Sequence, residues 1–221
     1  MGIPTVNAGI YRLSFFLWFL LTGCSTAYYG AMEKVGFAKR DILVHRVAKA
    51  RDSQQEAKQQ FRSALERFNA VTHTKGGDLQ SKYETLQKEF DLSQTKAEAV
   101  HSRIADIEDV SDALFSEWKT ELGQYTNPSL RRSSAEKLEA TEGRYRQMIA
   151  AMKKAEGHIA PVLDKFRDQV LFLKHNLNAQ AIASLQNEVA TVETSVSSLI
   201  QDMDDSIREA EAFMRDMGEH P

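Results

Sequence analysis

Few residues in this 221-residue chain combine the types and spacing that catalysis or metal binding requires. Serine, histidine and acid do not occur in the order of a catalytic triad with a nucleophile elbow. The acidic run from Asp202 to Asp205 lacks the glycine and the following glutamate of a calcium loop, so we interpret it as a solvated helix face. Five histidines show neither the four-residue spacing of a helical zinc pair nor cysteine partners: His45, His73, His101, His158 and His175. The sequence therefore predicts no catalytic residue, no cofactor and no metal site.

The single cysteine, Cys24, is the residue to which the sequence assigns chemistry. It follows an apolar run at 13–21 and the small-residue turn Thr22-Gly23, an arrangement that resembles the lipobox of bacterial lipoproteins. In such proteins the cysteine is lipidated and becomes the first residue of the mature chain. The run is about half the length that crosses a bilayer, and a basic residue, Arg12, precedes it, as in a secretory signal peptide. We predict lipidation at Cys24, with an ordinary cleaved signal as the alternative.

The lipoprotein resemblance also implies a location. The second mature residue would be Ser25, and not the aspartate that retains such proteins at the inner membrane. We therefore expect a protein held in the inner leaflet of an outer membrane and facing the periplasm, with more than one acyl chain, since a single chain binds only marginally. The predicted domains are a lipoprotein signal peptide at 1–23, a lipid anchor and short tether at 24–31, and a helical coiled-coil domain at 32–217.

Composition and charge narrow the class of protein. Of 28 basic and 31 acidic side chains, the leader removes only Arg12, which leaves 27 against 31. A nucleic-acid partner is not expected, because phosphate backbones require a basic surface. Four prolines and an abundance of helix-forming residues are typical of a helical or coiled-coil protein. The sequence thus predicts an all-α fold, an elongated antiparallel coiled-coil bundle of three to four long helices.

Apolar and small residues recur at alternating steps of three and four, which predicts helices that each present one seam to a partner. Glycines and caps at 75–78 and 123–128 predict two tight reversals between these helices. If the first two helices fold back, facing residue numbers add to about 150, which places small residues opposite small or polar ones at mid-length. The second and third helices align at about 252. The seams begin with Leu43, Val47, Ala50, Gln54, Ala57, Phe61 in helix one, with Leu79, Tyr83, Leu86, Phe90, Ser93, Ala97 in helix two, and with Leu138, Tyr145, Met148, Met152, Ala155 in helix three.

The last seam, from Ile182 to Met217, raises the question of how it joins the third helix. The intervening residues 174–180 contain neither glycine nor proline, so we favour one continuous helix with a local change of register. The C-terminal part would then project and require a partner, either a second copy or another protein. Alternatively, Asn176 or Asn178 occupies a turn and starts a fourth, returning helix.

Three stretches, 171–179, 76–79 and 114–118, resemble those of a family of helical lipoproteins of Gram-negative bacteria that is known only as a domain of unknown function. The resemblance covers nearly the whole mature chain and implies an envelope location, but no activity, ligand or catalytic residue. The sequence favours a non-enzymatic structural or interaction protein, held at the membrane by its lipid and binding itself or a protein partner. The alternative is a periplasmic ligand-binding or chaperone-like module that holds an apolar or peptide ligand near Gln54, Ala97 and Gly157.

Overall fold

Four long helices make up the described part of the chain. The computed structural model describes residues 38–73 and 78–218. The helices are α1 (Lys39–His73), α2 (Leu79–Leu122), α3 (Pro128–His175) and α4 (Ala179–Gly218). At 1.5 Å per residue, helices of 35 to 48 residues are about 50 to 70 Å long. The prediction of an all-α bundle of long helices is confirmed.

The helices form a ring in which each packs against two antiparallel neighbours. Helix α1 contacts α2 and α4, and α3 contacts the same two helices. This is the up-down-up-down arrangement that short connections produce. We call the end with the start of α1, the α2–α3 connection and the end of α4 the proximal end. The opposite end, where α1 ends, α2 begins and α3 connects to α4, is the distal end.

The seams of all four helices meet in one apolar core along the bundle. Side chains such as Leu43, Ile104, Met148 and Leu199 are fully buried. Across the diagonal of the ring, the Phe68 and Phe166 rings meet edge to face with centroids 6.2 Å apart. Since α1 and α3 run in the same direction, the two C-terminal halves of these helices share the distal core.

The predicted alignment of the first two helices is confirmed, and that of the next pair is shifted. Hydrogen bonds join Gln60 to Glu89 and Lys96 to Glu56, so the facing residue numbers add to about 150. In the predicted small layer, Ala50, Ala57 and Ser93 are buried, and Ala97 is half-buried. Between α2 and α3, the hydrogen bond from Trp118 to Ser134 at 2.8 Å keeps the predicted register near the turn. Farther along, His101 with Glu156 and Phe115 with Tyr145 lie five and eight residues beyond it. Heptad seams can align at several offsets, and side-chain size alone did not select this one.

The predicted reversals are built from the caps that the sequence offers. Asn127 accepts hydrogen bonds from the backbone N–H groups of Ser129 and Leu130, and Pro128 is the first residue of α3. At the start of α2, the Asp78 carboxylate accepts the N–H of Gln80 at 3.0 Å. The glycines of the first reversal, at 76 and 77, lie outside the described residues.

The favoured continuous helix from α3 into α4 is wrong. Helix α3 ends at His175, where the N–H of Asn176 bonds to the Leu173 carbonyl at 3.2 Å. The Asn178 side chain then accepts the N–H of Ala181 at 2.9 Å and begins the returning helix. The short asparagine amides satisfy backbone groups that a break leaves open, so neither glycine nor proline is needed.

Because α4 returns, its seam does not project. Side chains along the whole helix, including Leu185, Val196, Met203 and Phe213, are buried against α1 and α3. A returning α4 buries this apolar stripe, whereas a projecting α4 would leave the same surface in water. The burial therefore favours the turn. The exposed C-terminal seam expected from the sequence, and the partner that it would require, are therefore not part of this fold.

Pro161 lies inside α3, and the helix continues on both sides of it. Its ring removes the hydrogen bond to the carbonyl four residues earlier, at Gly157. Since Gly157 is exposed, water can hydrate the freed carbonyl. None of the helices within 38–73 and 78–218 has an uninterrupted apolar stretch sufficient to span a bilayer.

Candidate functional site

The most concentrated group of polar side chains in the described chain crosses the bundle near mid-length. We call it the polar layer. It is centred on residues 202–206 of α4, little more than one helical turn, where polar side chains reach both neighbouring helices and the core. Its members are Gln54 and Lys58 of α1, Lys154 and His158 of α3, and Asp202, Asp204 and Ser206 of α4.

Asp202 joins α4 to α3. Only 7% of the residue is exposed, which by itself disfavours a charged carboxylate. Lys154 Nζ donates to Oδ1 at 2.8 Å, and His158 Nδ1 bonds to Oδ2. Burial raises the pKa of Asp202, but the hydrogen bonds from Lys154 and His158 outweigh it, so the pKa lies below the ordinary value of 3.8. The hydrogen bond to Asp202 likewise raises the pKa of Lys154. Asp202 is therefore a charged, tightly held link between two helices.

The interpretation of the acidic run at 202–205 as a solvated face is wrong for its first member. Asp202 is buried, while Asp204 and Asp205 are half-buried. Asp204 pairs with Lys58 of α1 at 2.5 Å, and only 8% of Lys58 is exposed. A single turn of α4 thus sends one carboxylate to α3 and another to α1. Each charge is matched, as burial requires.

In the core of the polar layer, Ser206 Oγ donates to Gln54 Oε1 at 2.8 Å, and both residues are fully buried. Gln54 Nε2 has no hydrogen-bond partner within the described part of the chain. An amide N–H left unpaired in a core costs about 1–3 kcal/mol. The unpaired N–H of Gln54 therefore lowers the stability of the fold, while the hydrogen bond to Ser206 fixes which turn of α4 faces which turn of α1.

Two polar residues at seam positions of the sequence indicate this pair. Gln54 lies at a seam position of α1, and Ser206 lies on the seam of α4 between Met203 and Ala210. Two polar residues at seam positions predict that they face each other. That reasoning needed a returning α4, which the sequence interpretation did not favour.

A surface groove of about 380 Å³ lies beside Asp202 between α3 and α4. Its lining mixes both charge signs, and four of its five charged side chains pair with one another. Lys154 binds Asp202, and Arg208 binds Asp205. The groove therefore presents little free charge to a ligand.

The histidines lie apart from one another. His101 pairs with Glu156 at 2.5 Å and His158 with Asp202, so each joins α3 to a neighbouring helix. His73 bonds to the Asn69 carbonyl at 2.8 Å, and His45 and His175 are exposed. Among residues 38–73 and 78–218, no group of three or more histidine, cysteine and acidic side chains could hold a metal ion. Cys24, the predicted lipidation site, lies outside the described residues.

The chain belongs to the family described as protein of unknown function DUF2959, whose model matches residues 28–217. The match covers all four helices and confirms the resemblance to a family known only as a domain of unknown function. A search of the curated proteins finds no match.

Proposed function

We propose that this member of the DUF2959 family is a non-enzymatic, outer-membrane-anchored lipoprotein whose four-helix body acts in the periplasm as a structural or interaction module. The observation that carries the proposal is Cys24, the only cysteine, placed directly after an apolar run and Leu21-Thr22-Gly23. A thioether-linked lipid at this position explains why the chain carries one cysteine and where it lies. Ser25 as the next residue supports the outer membrane as the destination.

The short stretch of chain between Cys24 and the bundle supports an anchored module. Helix α1 begins at Lys39, so only fourteen residues separate it from the cysteine. An anchor at Cys24 would hold the proximal end close to the bilayer. Tyr125 is 41% exposed and Leu130 57% exposed at that end, next to the exposed Arg131 and Arg132. Aromatic, apolar and basic side chains together suit the headgroup region.

The polar layer supports a structural role over a catalytic one. A general acid or base must be able to reach a substrate proton, and a nucleophile needs a base beside it. Asp202 and Asp204 are instead held by cations of neighbouring helices, and the Ser206 hydroxyl donates its proton to Gln54. The partner in this proposal is a second copy or another envelope protein, bound through the bundle surface.

The anchor is tested by replacing Cys24 with alanine and fractionating the membranes. The proposal predicts that Cys24→Ala moves the protein out of the outer-membrane fraction and abolishes its lipid-dependent mass increase. The matched variant Ser25→Asp keeps the cysteine and should move the lipidated protein to the inner membrane. If the Cys24→Ala protein stays in the outer membrane, the lipoprotein proposal is refuted.

One observation favours the second function, a periplasmic ligand-binding or chaperone-like module. The unpaired Gln54 Nε2 is a buried donor that an apolar ligand with one acceptor could satisfy, close to the half-buried Ala97. Gly157, the third predicted position, is exposed on α3. A thermal-shift screen of residues 25–221 against envelope extracts tests this function. This function requires a small molecule that stabilises the parent protein but not Gln54→Leu. Failure to find such a molecule would count against it.

A further inference from the structure

The distal end of the bundle exposes a cluster of large apolar side chains. Leu171 is 47% exposed, Phe172 40% and Leu177 42%, and they fall within seven residues at the end of α3 and in its connection to α4. We call residues 171–178 the distal tip. Scattered exposed leucines are ordinary, but three large apolar residues in one tip mark an interaction site.

The exposed side chains of the distal tip are not core residues that have become uncovered at the end of the helix. Leu173, between the exposed residues, is fully buried and completes the seam of α3. Leu171 and Phe172 therefore point away from the core because the helix has already placed its seam residue there. Leu177 follows the end of α3, before the Asn178 cap begins α4. The fold keeps these three side chains outside without any loss of core packing.

The charge of the distal tip is opposite in sign to that of the whole chain. The formal net charge of the chain is −3, yet no acidic residue occurs between Asp168 and Glu188. Lys174 and His175 lie in that interval, and both are exposed. At the start of α2, which reaches the same end, the Asp78 carboxylate caps the helix and Lys82 follows one turn later. At the start of α2, Asp78 and the exposed Glu84 offset Lys82, so it is the distal tip itself that is apolar and basic on an acidic protein.

We propose that the distal tip binds the surface of an anionic lipid bilayer. Leu171, Phe172 and Leu177 enter the boundary between headgroups and acyl chains, while Lys174 binds lipid phosphates and the His175 ring lies beside it. Exposed leucine and phenylalanine beside basic residues form the combination that interfacial membrane binding uses. Charge complementarity selects an anionic bilayer over an apolar patch of another protein, which requires no basic residues. Because the buried area is small, the binding is weak and sensitive to salt.

This inference does not depend on lipidation. Together with an anchor at Cys24, however, it gives the bundle two membrane contacts, one at each end and separated by about 50 to 70 Å of helix. The protein would then link two bilayers, or two regions of one folded bilayer. The lipoprotein proposal is tested at Cys24 and this one at the distal tip, so either can fail without the other.

The test is vesicle flotation of residues 25–221, which include the whole packed bundle. Vesicles of phosphatidylethanolamine and phosphatidylglycerol are compared with vesicles of phosphatidylcholine alone, at low and at high salt. We expect flotation only with the anionic vesicles, and a loss of about tenfold or more in the double variant Leu171→Ser, Phe172→Ser. Lys174→Glu should weaken binding less, and most strongly at low salt. Helicity and thermal unfolding should match the parent, because the replaced side chains are exposed.

A control variant tests the location. Leu92→Ser replaces a side chain that is 40% exposed, as Phe172 is, but lies on the flank of α2, and it should leave flotation unchanged. Phe172→Trp adds a direct readout, since its emission should shift to the blue with anionic vesicles. Equal flotation of the parent and the tip variant, no flotation with anionic vesicles, or a tip-dependent dimer that floats with neither lipid would overturn the proposal.

Discussion

Replacing Asp202 with asparagine should measure how strongly the polar layer holds α4 to α3. The substitution keeps the shape of the side chain and removes its charge. Two hydrogen bonds to that charge are affected, from Lys154 at 2.8 Å and from His158. A hydrogen bond to a charged group contributes about 1.5–3 kcal/mol when buried. Here the Lys154 and His158 side chains are 63% and 47% exposed, so solvent screens both.

We therefore expect Asp202→Asn to lower the free energy of unfolding by about 1–2 kcal/mol at pH 7. Urea unfolding of residues 25–221, followed by circular dichroism at a helical wavelength, measures this value. The matched control is Asp164→Asn on α3, whose carboxylate pairs with Arg167 on the same helix and is 58% exposed. That variant should lose less than about 0.5 kcal/mol.

The effect of Asp202→Asn should depend on pH in a defined direction. The folded protein lowers the pKa of Asp202 below 3.8, so the ionised carboxylate adds stability above that pH. This contribution is lost as the pH falls through the lower folded value. Asparagine does not titrate, so the difference between the variant and the parent should persist from neutral pH to about pH 5 and shrink toward about pH 2. Equal stability at pH 7, or a difference that remains constant into strong acid, would refute the reasoning.

Three other substitutions test the core, the turn and the buried pair. Phe68→Ala removes a fully buried ring and should cost about 3–5 kcal/mol in thermal or urea unfolding, and a loss below about 1 kcal/mol would contradict the packing. Asn178→Ala removes the cap of α4 and should cost about 1 kcal/mol, whereas Asn187→Ala on the exposed side of α4 should cost little. Ser206→Ala leaves both amide atoms of Gln54 unpaired and should cost about 1–2 kcal/mol, while Ser206→Ala with Gln54→Leu should recover that loss or exceed the parent. If the double variant is less stable than Ser206→Ala, the Gln54 and Ser206 pair contributes to the free energy of unfolding and does not only set the register.

Local patterns were enough to predict the helices and one of their alignments. The seam from Leu43 to Phe68 is buried as the heptad spacing indicates, and so is that from Leu86 to Leu114 except for the half-buried Phe90 and Ala97. Asn127 followed by Pro128 is a start signal that acts within one turn, so it is readable without the rest of the fold. These features depend on neighbours three or four residues away, which is the range that a linear sequence displays.

The return of α4 depends on distant surfaces, and for that reason the sequence did not decide it. Residues 174–180 can form either a helix or a turn at similar local cost. The choice is made by the groove between α1 and α3, which covers side chains as far along α4 as Phe213. The burial of Asp202 could not be predicted for the same reason. Its partners Lys154 and His158 are distant in sequence and become neighbours only after α4 has returned. The prediction of lipidation at Cys24 needs only neighbouring residues, because a lipidation site is read from the extended chain before folding.

The helix ring brings the two ends of the described chain together at the proximal end. Arg40, in the first turn of α1, donates to the carbonyl of Met217, and Arg144 pairs with Asp216 beside it. A fluorescent reporter fused behind α4 would therefore emerge next to the point where the polypeptide enters the bundle, while one inserted at Leu177 would report from the opposite pole. A circular permutant that joins the two ends and opens the chain at Leu177 should keep all four helices in place, with its new termini about 50 to 70 Å away from the old ones.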